Sequence, residues 1–167
     1  MARAVQTRPV GETPPSIRPT AGGESTVLQG IEVAAGQTFI EVGLDDVAAH
    51  APSSLAALEE YRRHRRSWVA TDGEDRPVAF RLTSLVDGNA HIDELSVHPT
   101  HGRRGIGRAL IEHLVEQAGS EHLPAVTLTT FAAVPWNAPY YTRCGFHPMD
   151  DAELGPELAH IRLAEWW

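Results

Sequence analysis

Lysine is absent from the 167-residue chain, so all fourteen of its basic residues are arginine. Codon bias explains that more simply than selection for guanidinium chemistry. There is one cysteine, Cys144. It excludes an internal disulfide and the oxidised scaffolds that depend on one. No pattern of an activated thiol surrounds it, and a structural role is expected. No apolar run approaches the ~20 residues that a membrane-spanning helix needs. Met1 to Thr20 has no apolar h-region and does not read as a secretory signal, so a cytoplasmic location and no membrane partner are expected. Positive charge is scarce as well. The net charge of −8 disfavours nucleic acid and anionic lipid as partners and favours small cations. The nine histidines lack zinc-type spacing, and no metal is expected.

Apolar residues at 42% and charged residues at 22% describe an ordinary globular domain, long enough to bury a core. Residues 1–15, polar and proline-rich, read as a disordered extension; residues 16–167 read as one domain. Ser16 to Pro19 reads as a short strand. Glu24 to Ala35 has helical spacing, with Gly36 as its stop. A second helix follows Pro52-Ser53-Ser54, where serine caps it; its end carries Arg62 to Arg66, read as a solvated terminus. Trp68–Thr71, Val78–Leu85 and Ala90–Val97 read as an antiparallel meander, the last two joined by the hairpin signal Asp87-Gly88-Asn89. Ile106 to Ala118 is a long amphipathic helix closed by Gly119. Ala125–Thr130 is a strand parallel to the one before that helix. Trp136 to Cys144 is a short helix, followed at Gly145-Phe146 by a last strand or extended segment.

Chemistry concentrates in Arg103-Arg104-Gly105-Ile106-Gly107-Arg108-Ala109, between a strand and a helix. Glycine lets a ligand approach the backbone, and the first amides of a helix lack internal partners, so the segment suits a phosphate. A P-loop would need Lys and then Ser or Thr after its glycine, and neither is present. A dinucleotide fingerprint would need a third glycine where Leu110 stands, and a tighter turn.

The segment Ile92-Asp93-Glu94-Leu95-Ser96-Val97-His98-Pro99 with Arg103 to Leu110 resembles the central motif of the GCN5-related N-acetyltransferases (the GNAT superfamily). Asn137-Ala138-Pro139-Tyr140-Tyr141-Thr142-Arg143-Cys144-Gly145-Phe146 is similar to that family's second hallmark, in family order. The resemblance covers roughly residues 17–147. It implies an α/β (α+β) fold: a mixed, mostly antiparallel sheet with a central parallel strand pair, flanked by helices. It implies acetyl-CoA as acyl donor, with no metal. The backbone of Leu95, Ser96 and Val97 would pair with the pantetheine arm. The amides of Arg103, Arg104, Gly105, Ile106, Gly107, Arg108 and Ala109 would hold the pyrophosphate. Asn137 would touch the pantetheine, and Tyr141 would protonate the leaving thiolate. An amide near Val97 would polarise the thioester carbonyl.

For the general base, Glu94 is favoured over its neighbour Asp93 or no single base, and strand alternation puts the two on opposite faces. An ion pair across the sheet is the other role open to Glu94. The loop departs from the family at Gly102, where a Gln or Arg side chain usually anchors it. Leu154, Leu158 and Ile161 have helical spacing, while the family supplies a seventh strand, for which His160–Trp167 is the candidate. Packing onto the domain or a homodimer interface would account for Trp166 and Trp167. Trp136 is core or acceptor wall, and Phe131 to Pro135 lines the acceptor site or packs as a loop. The leading expectation is acetyl transfer to a small-molecule amine in a ternary complex. The alternatives are a protein N-terminal or lysine acetyltransferase, and an acyl-CoA-binding sensor without turnover. A toxin acting on charged tRNA would want a basic surface, which this chain lacks.

Overall fold

A computed structural model describes residues 14–43, 45, 51–131, 134 and 136–164. The expected N-terminal extension therefore falls almost wholly outside the described residues, as do Trp166, Trp167 and most of the 131–135 loop. Five strands form one sheet in the order β1-β2-β3-β4-β5: β1 Ser16–Pro19, β2 Ser67–Thr71, β3 Pro77–Val86, β4 Asn89–Val97 and β5 Val126–Leu128. The first four are antiparallel, and β4 with β5 is the parallel pair. The β3–β4 turn carries Asp87 at φ 49° and Gly88 at φ 75°. Two central residues in the left-handed region match the twist of the flanking strands, which is why Asp-Gly marks a tight hairpin.

The helices are α1 Ser25–Gly36, α2 Leu55–Arg63, α3 Ile106–Ser120, α4 Asn137–Arg143 and α5 Pro156–Ala164. Ser54 caps α2 by accepting from the Ala57 amide at 3.1 Å. Arg62 and Arg63 at its end both reach Glu59. Two expected glycine stops are corrected. Gly36 stays helical, and the chain runs on as a 3-10 turn over Gln37–Val42 until Gly43 at φ 75°. Gly119 lies inside α3. The left-handed residue that closes α3 is His122, at φ 57°, beside a Leu123 amide bonded to the Ala118 carbonyl at 2.8 Å. Closure requires the left-handed conformation, and either residue type can supply it.

β5 is shorter than the expected Ala125–Thr130, and no strand follows it among the described residues. Of the alternatives open for the segment after Gly145-Phe146, it is not a strand; of those open for the tail, the helix holds over residues 160–164, which lie in α5, and the seventh-strand candidate is corrected there. The physical reason is a long-range cap. Pro156 opens α5, and the Asp87 carboxylate accepts from the Glu157 amide at 3.1 Å and the Leu158 amide at 2.9 Å. The Asp87 amide in turn donates to the Glu157 carboxylate at 2.5 Å. This cap from a distant turn fixes a helix start, and Leu158 is buried beneath it.

Both sheet faces are covered, so β2 buries four of its five residues and β3 is buried without a break over Val78–Leu82 instead of alternating. On one face α1 and α2 pack Leu28, Ile31 and Leu58 against Val69, Phe80 and Leu82. On the other, α3 packs Ile106 and Leu110 against Ala70, Val78 and Ala79, and Ile111 and Leu114 against Ala90 and Ile92. β4 carries a bulge: Leu82 pairs with Glu94 but Thr83 pairs with Ile92, which leaves Asp93 as an extra residue. Ile92 and Leu95 consequently both pack toward α3. Asp93 and Glu94 both turn to the α1–α2 face, where Asp93 accepts from the Ser84 hydroxyl at 2.8 Å and meets Tyr61. The expectation that these two carboxylates occupy opposite faces is corrected, because a bulge interrupts the two-residue alternation.

Candidate active site

β4 pairs with β3 along its whole length but with β5 only over Ala90–Ile92. Beyond Ile92 the two parallel strands part, and the edge of β4 from Asp93 to Val97 is open. The His98 amide donates to the Val78 carbonyl at 2.9 Å. That fixes the hydrogen-bonded pairs of the ladder at Val78/His98, Phe80/Ser96 and Leu82/Glu94. The N–H and C=O groups of Leu95 and Val97 therefore point to the open edge, and those of Ser96 point to β3. Of the three residues expected to offer backbone here, Leu95 and Val97 do so; Ser96 contributes its hydroxyl to Glu94 instead.

The far wall is the start of α3. Gly105 is its N-cap at φ 73°, a conformation that costs a side chain strain, and its carbonyl accepts from the Ala109 amide at 2.9 Å. The amides of Ile106, Gly107 and Arg108 lack intrahelical acceptors and, with the helix dipole, form a site for an anion. The Ala109 amide is spent inside the helix, which corrects its expected contribution. Arg103 and Arg104 are exposed and form no ion pair with a described residue, while the Arg108 guanidinium is held by Glu112 at 2.8 Å. A Cβ at position 107 would come within 2.6 Å of the Tyr140 hydroxyl and 3.5 Å of Val97 Cγ2, so a side chain there would have to displace that hydroxyl.

Between these walls lies a cleft of about 230 Å³. Eight of the expected residues line it: Leu95, Val97, Arg103, Gly105, Ile106, Gly107, Asn137 and Tyr141. Ser96, Arg104, Arg108, Ala109 and Glu94 do not. His101, Trp136 and Tyr140 also line it. Tyr140 has no sequence signal beyond standing beside Tyr141. Asn137 donates its side-chain N–H to Thr130 Oγ1 at 2.9 Å, tying α4 to the segment after β5. Trp136 stacks on Phe39, centroids 6.5 Å apart, and so joins the 3-10 turn after α1 to the cleft rim.

Glu94 lies beside the cleft on the α1–α2 face. Burial pushes its carboxyl above the ordinary carboxylate range, the Ser96 hydroxyl donating at 2.5 Å opposes that shift, and the Glu32 charge adds to it. Tyr141 packs among the residues that α3 and β4 bury. Burial first, and the Glu94 charge second, push its phenol up to about 12, so it stays protonated at neutral pH. A carboxylate able to take a proton thus stands within electrostatic reach of a phenol able to give one. The donor set at the cleft is backbone amide and guanidinium, which fits a phosphate-bearing ligand. Among the described residues no cluster of His, Cys, Asp and Glu is arranged to hold a metal ion.

Residues 37–146 match the Acetyltransferase (GNAT) family, and the chain belongs to that family. It is similar to a ribosomal protein bS18-alanine N-acetyltransferase of Salmonella typhimurium, 31% identical over 74 residues, 44% of this chain and 50% of the relative. It is similar to the peptidyl-lysine N-acetyltransferase YjaB of Escherichia coli, 30% identical over 100 residues, 58% of this chain and 62% of the relative. The chain thus spans between half and two thirds of the length of these curated relatives. Among solved structures, the ribosomal-protein-S18-alanine N-acetyltransferase from Escherichia coli has a TM-score of 0.64 at 21% identity, over 81% of this chain and 79% of that one. Rv2747 from Mycobacterium tuberculosis, in complex with CoA and NLQ, has a TM-score of 0.66 at 19% identity, over 90% and 82%. These likenesses show the mixed fold with its parallel β4–β5 pair. No helix among the described residues is long and apolar enough to cross a membrane.

Proposed function

We propose that this chain is a cytoplasmic, acetyl-CoA-dependent N-acetyltransferase, with its site in a single domain over residues 16–167. The observation that carries the reading is the cleft where β4 parts from β5. It sets the outward backbone of Leu95 and Val97, the free amides at the start of α3 and Tyr141 around one space, with Glu94 beside it and in electrostatic reach of Tyr141. Acetyl-CoA, when bound, supplies an acetyl group activated as a thioester. The Ile106, Gly107 and Arg108 amides with Arg103 and Arg104 hold its phosphates. Leu95 and Val97 pair with the amide-bearing arm as an added strand would, and Asn137 borders that arm. The Val97 amide stands as the donor to a developing oxyanion. Glu94 takes the proton that the acceptor ammonium must lose before attack, and the Tyr141 phenol gives one to the departing sulfur.

The acceptor in this reading is a primary amine on a protein, an N-terminus or a lysine, supported by the substrates named for the two curated relatives. A small-molecule amine is the second reading, favoured by the net charge of −8. Free CoA release with acetyl-CoA, measured against Ala-terminated peptides, Lys peptides, polyamines, amino acids and aminoglycosides, separates the two. Release that depends on a peptide supports the first, and release with a small amine alone transfers the assignment to the second. Binding of acetyl-CoA with no release on any acceptor would favour a sensor without turnover.

A further inference from the structure

α4 presents two adjacent tyrosines, their rings 5.1 Å apart at 72°, and the two face different surroundings. Tyr141 packs against Phe146 and the apolar residues under α3, toward Glu94. Tyr140 turns its hydroxyl to the first turn of α3. That hydroxyl reaches its position only because residue 107 has no side chain, since a Cβ there would lie 2.6 Å away. It borders the cleft beside Val97 and Gly107, next to amides that no helix carbonyl satisfies. The polar side chain against it is the Cys144 thiol, with the Arg108 guanidinium in electrostatic reach. A thiol is a weak partner, so among the described residues most of the hydroxyl's hydrogen-bonding capacity is unspent. The loop before α3 also has no side chain at Gly102, where a Cβ would press on the Pro99 carbonyl at 3.2 Å.

We infer that Tyr140 is a cofactor-binding residue whose hydroxyl completes, with the first amides of α3, the site for the phosphate-bearing part of acetyl-CoA. The inference rests on the acetyl-CoA reading of the cleft and adds a side-chain ligand to a site otherwise made of backbone and arginine. Tyr140 remains a neutral donor, because burial holds its phenol well above the ordinary range. Gly107 then serves two ends, admitting the ligand and admitting this hydroxyl.

Calorimetric titration with CoA, without an acceptor, tests it. Tyr140→Phe weakens CoA binding by ~10- to 100-fold, the loss of one hydrogen bond to a charged group. The ligand-free melting temperature stays at the wild-type value. Cys144→Ala keeps its CoA affinity. Gly107→Ala also weakens CoA, and adding Tyr140→Phe to it causes little further loss, because the two changes act on one contact. The inference is overturned if Tyr140→Phe binds CoA as tightly as wild type. It is equally overturned if that variant melts lower, if Cys144→Ala loses the same affinity, or if the double variant is fully additive. A wild-type chain that binds no CoA removes the acetyl-CoA reading itself, a different result from a Tyr140 variant that behaves like wild type.

Discussion

As the proposed base, Glu94 would act only above its own pKa, which burial raises and the Ser96 hydroxyl lowers. The acidic limb of the kcat/KM–pH profile therefore has its midpoint above the ordinary glutamate range, and Glu94→Gln flattens that limb. Ser96→Ala removes the donor that favours the ionised carboxylate, so the limb moves to higher pH. A limb that stays where it is in both variants assigns the base elsewhere. Tyr141→Phe lowers kcat by ~10²-fold, the low end for loss of a positioned proton donor, with acetyl-CoA affinity intact. A matching loss of affinity would make Tyr141 a packing residue. At this scale the sequence names residue types well and orientations poorly. The resemblance points to Glu94 and Tyr141 as candidates, but the bulge that brings Asp93 to the same face as Glu94 depends on how β3 pairs with β4. Tyr140 points at Gly107 only because two helices meet there.

Among the elements, β1 to β4 and α2 to α4 are legible in the sequence because their signals are local: Ser54 as a cap, Asp87-Gly88 as a turn, Gly105 as the left-handed start of α3. The tail is legible only as helical spacing at Leu154, Leu158 and Ile161; where α5 starts is not, since it takes its cap from a turn with a sequence separation of 70 residues, and no window of sequence contains both. Asp87→Ala leaves the Glu157 and Leu158 amides without their acceptor, at a cost of ~1–2 kcal/mol, typical of a lost N-cap. Amide hydrogen exchange then speeds up across Pro156–Ala164 while α3 keeps its protection. Equal acceleration in both helices would mean that the cap supports the whole fold. Ser54→Ala costs ~1 kcal/mol by the same physics, read in urea unfolding.

Over the molecule as a whole, the sheet face under α3 buries a cation. Arg81 is 0% exposed, lies 5.7 Å from the centre of the Trp68 ring, and donates through Nη2 to Gln117 and to His113 Nδ1. An arginine is always the donor, so His113 must be neutral with its proton on Nε2. Burial first, and the Arg81 charge second, hold the His113 pKa below its ordinary value. The unfolded chain binds that proton more readily, so this contribution to stability is present above about pH 6.5 and is lost as pH falls through the folded value. Urea midpoints decline between pH 7.5 and 5.5 in the wild type and decline less in His113→Gln. An equal decline in both places the sensitivity on other groups.

The Asp87–α5 clasp also has a meaning in time. A growing chain makes the hairpin tip well before the residues that will dock on it, so a finished turn waits with its carboxylate in water until Leu158 has been added. The helix it receives is then the last part of the described fold that can be secured during synthesis. It is also the part that a nick between Phe146 and Pro156 would set free while leaving the cleft's walls standing.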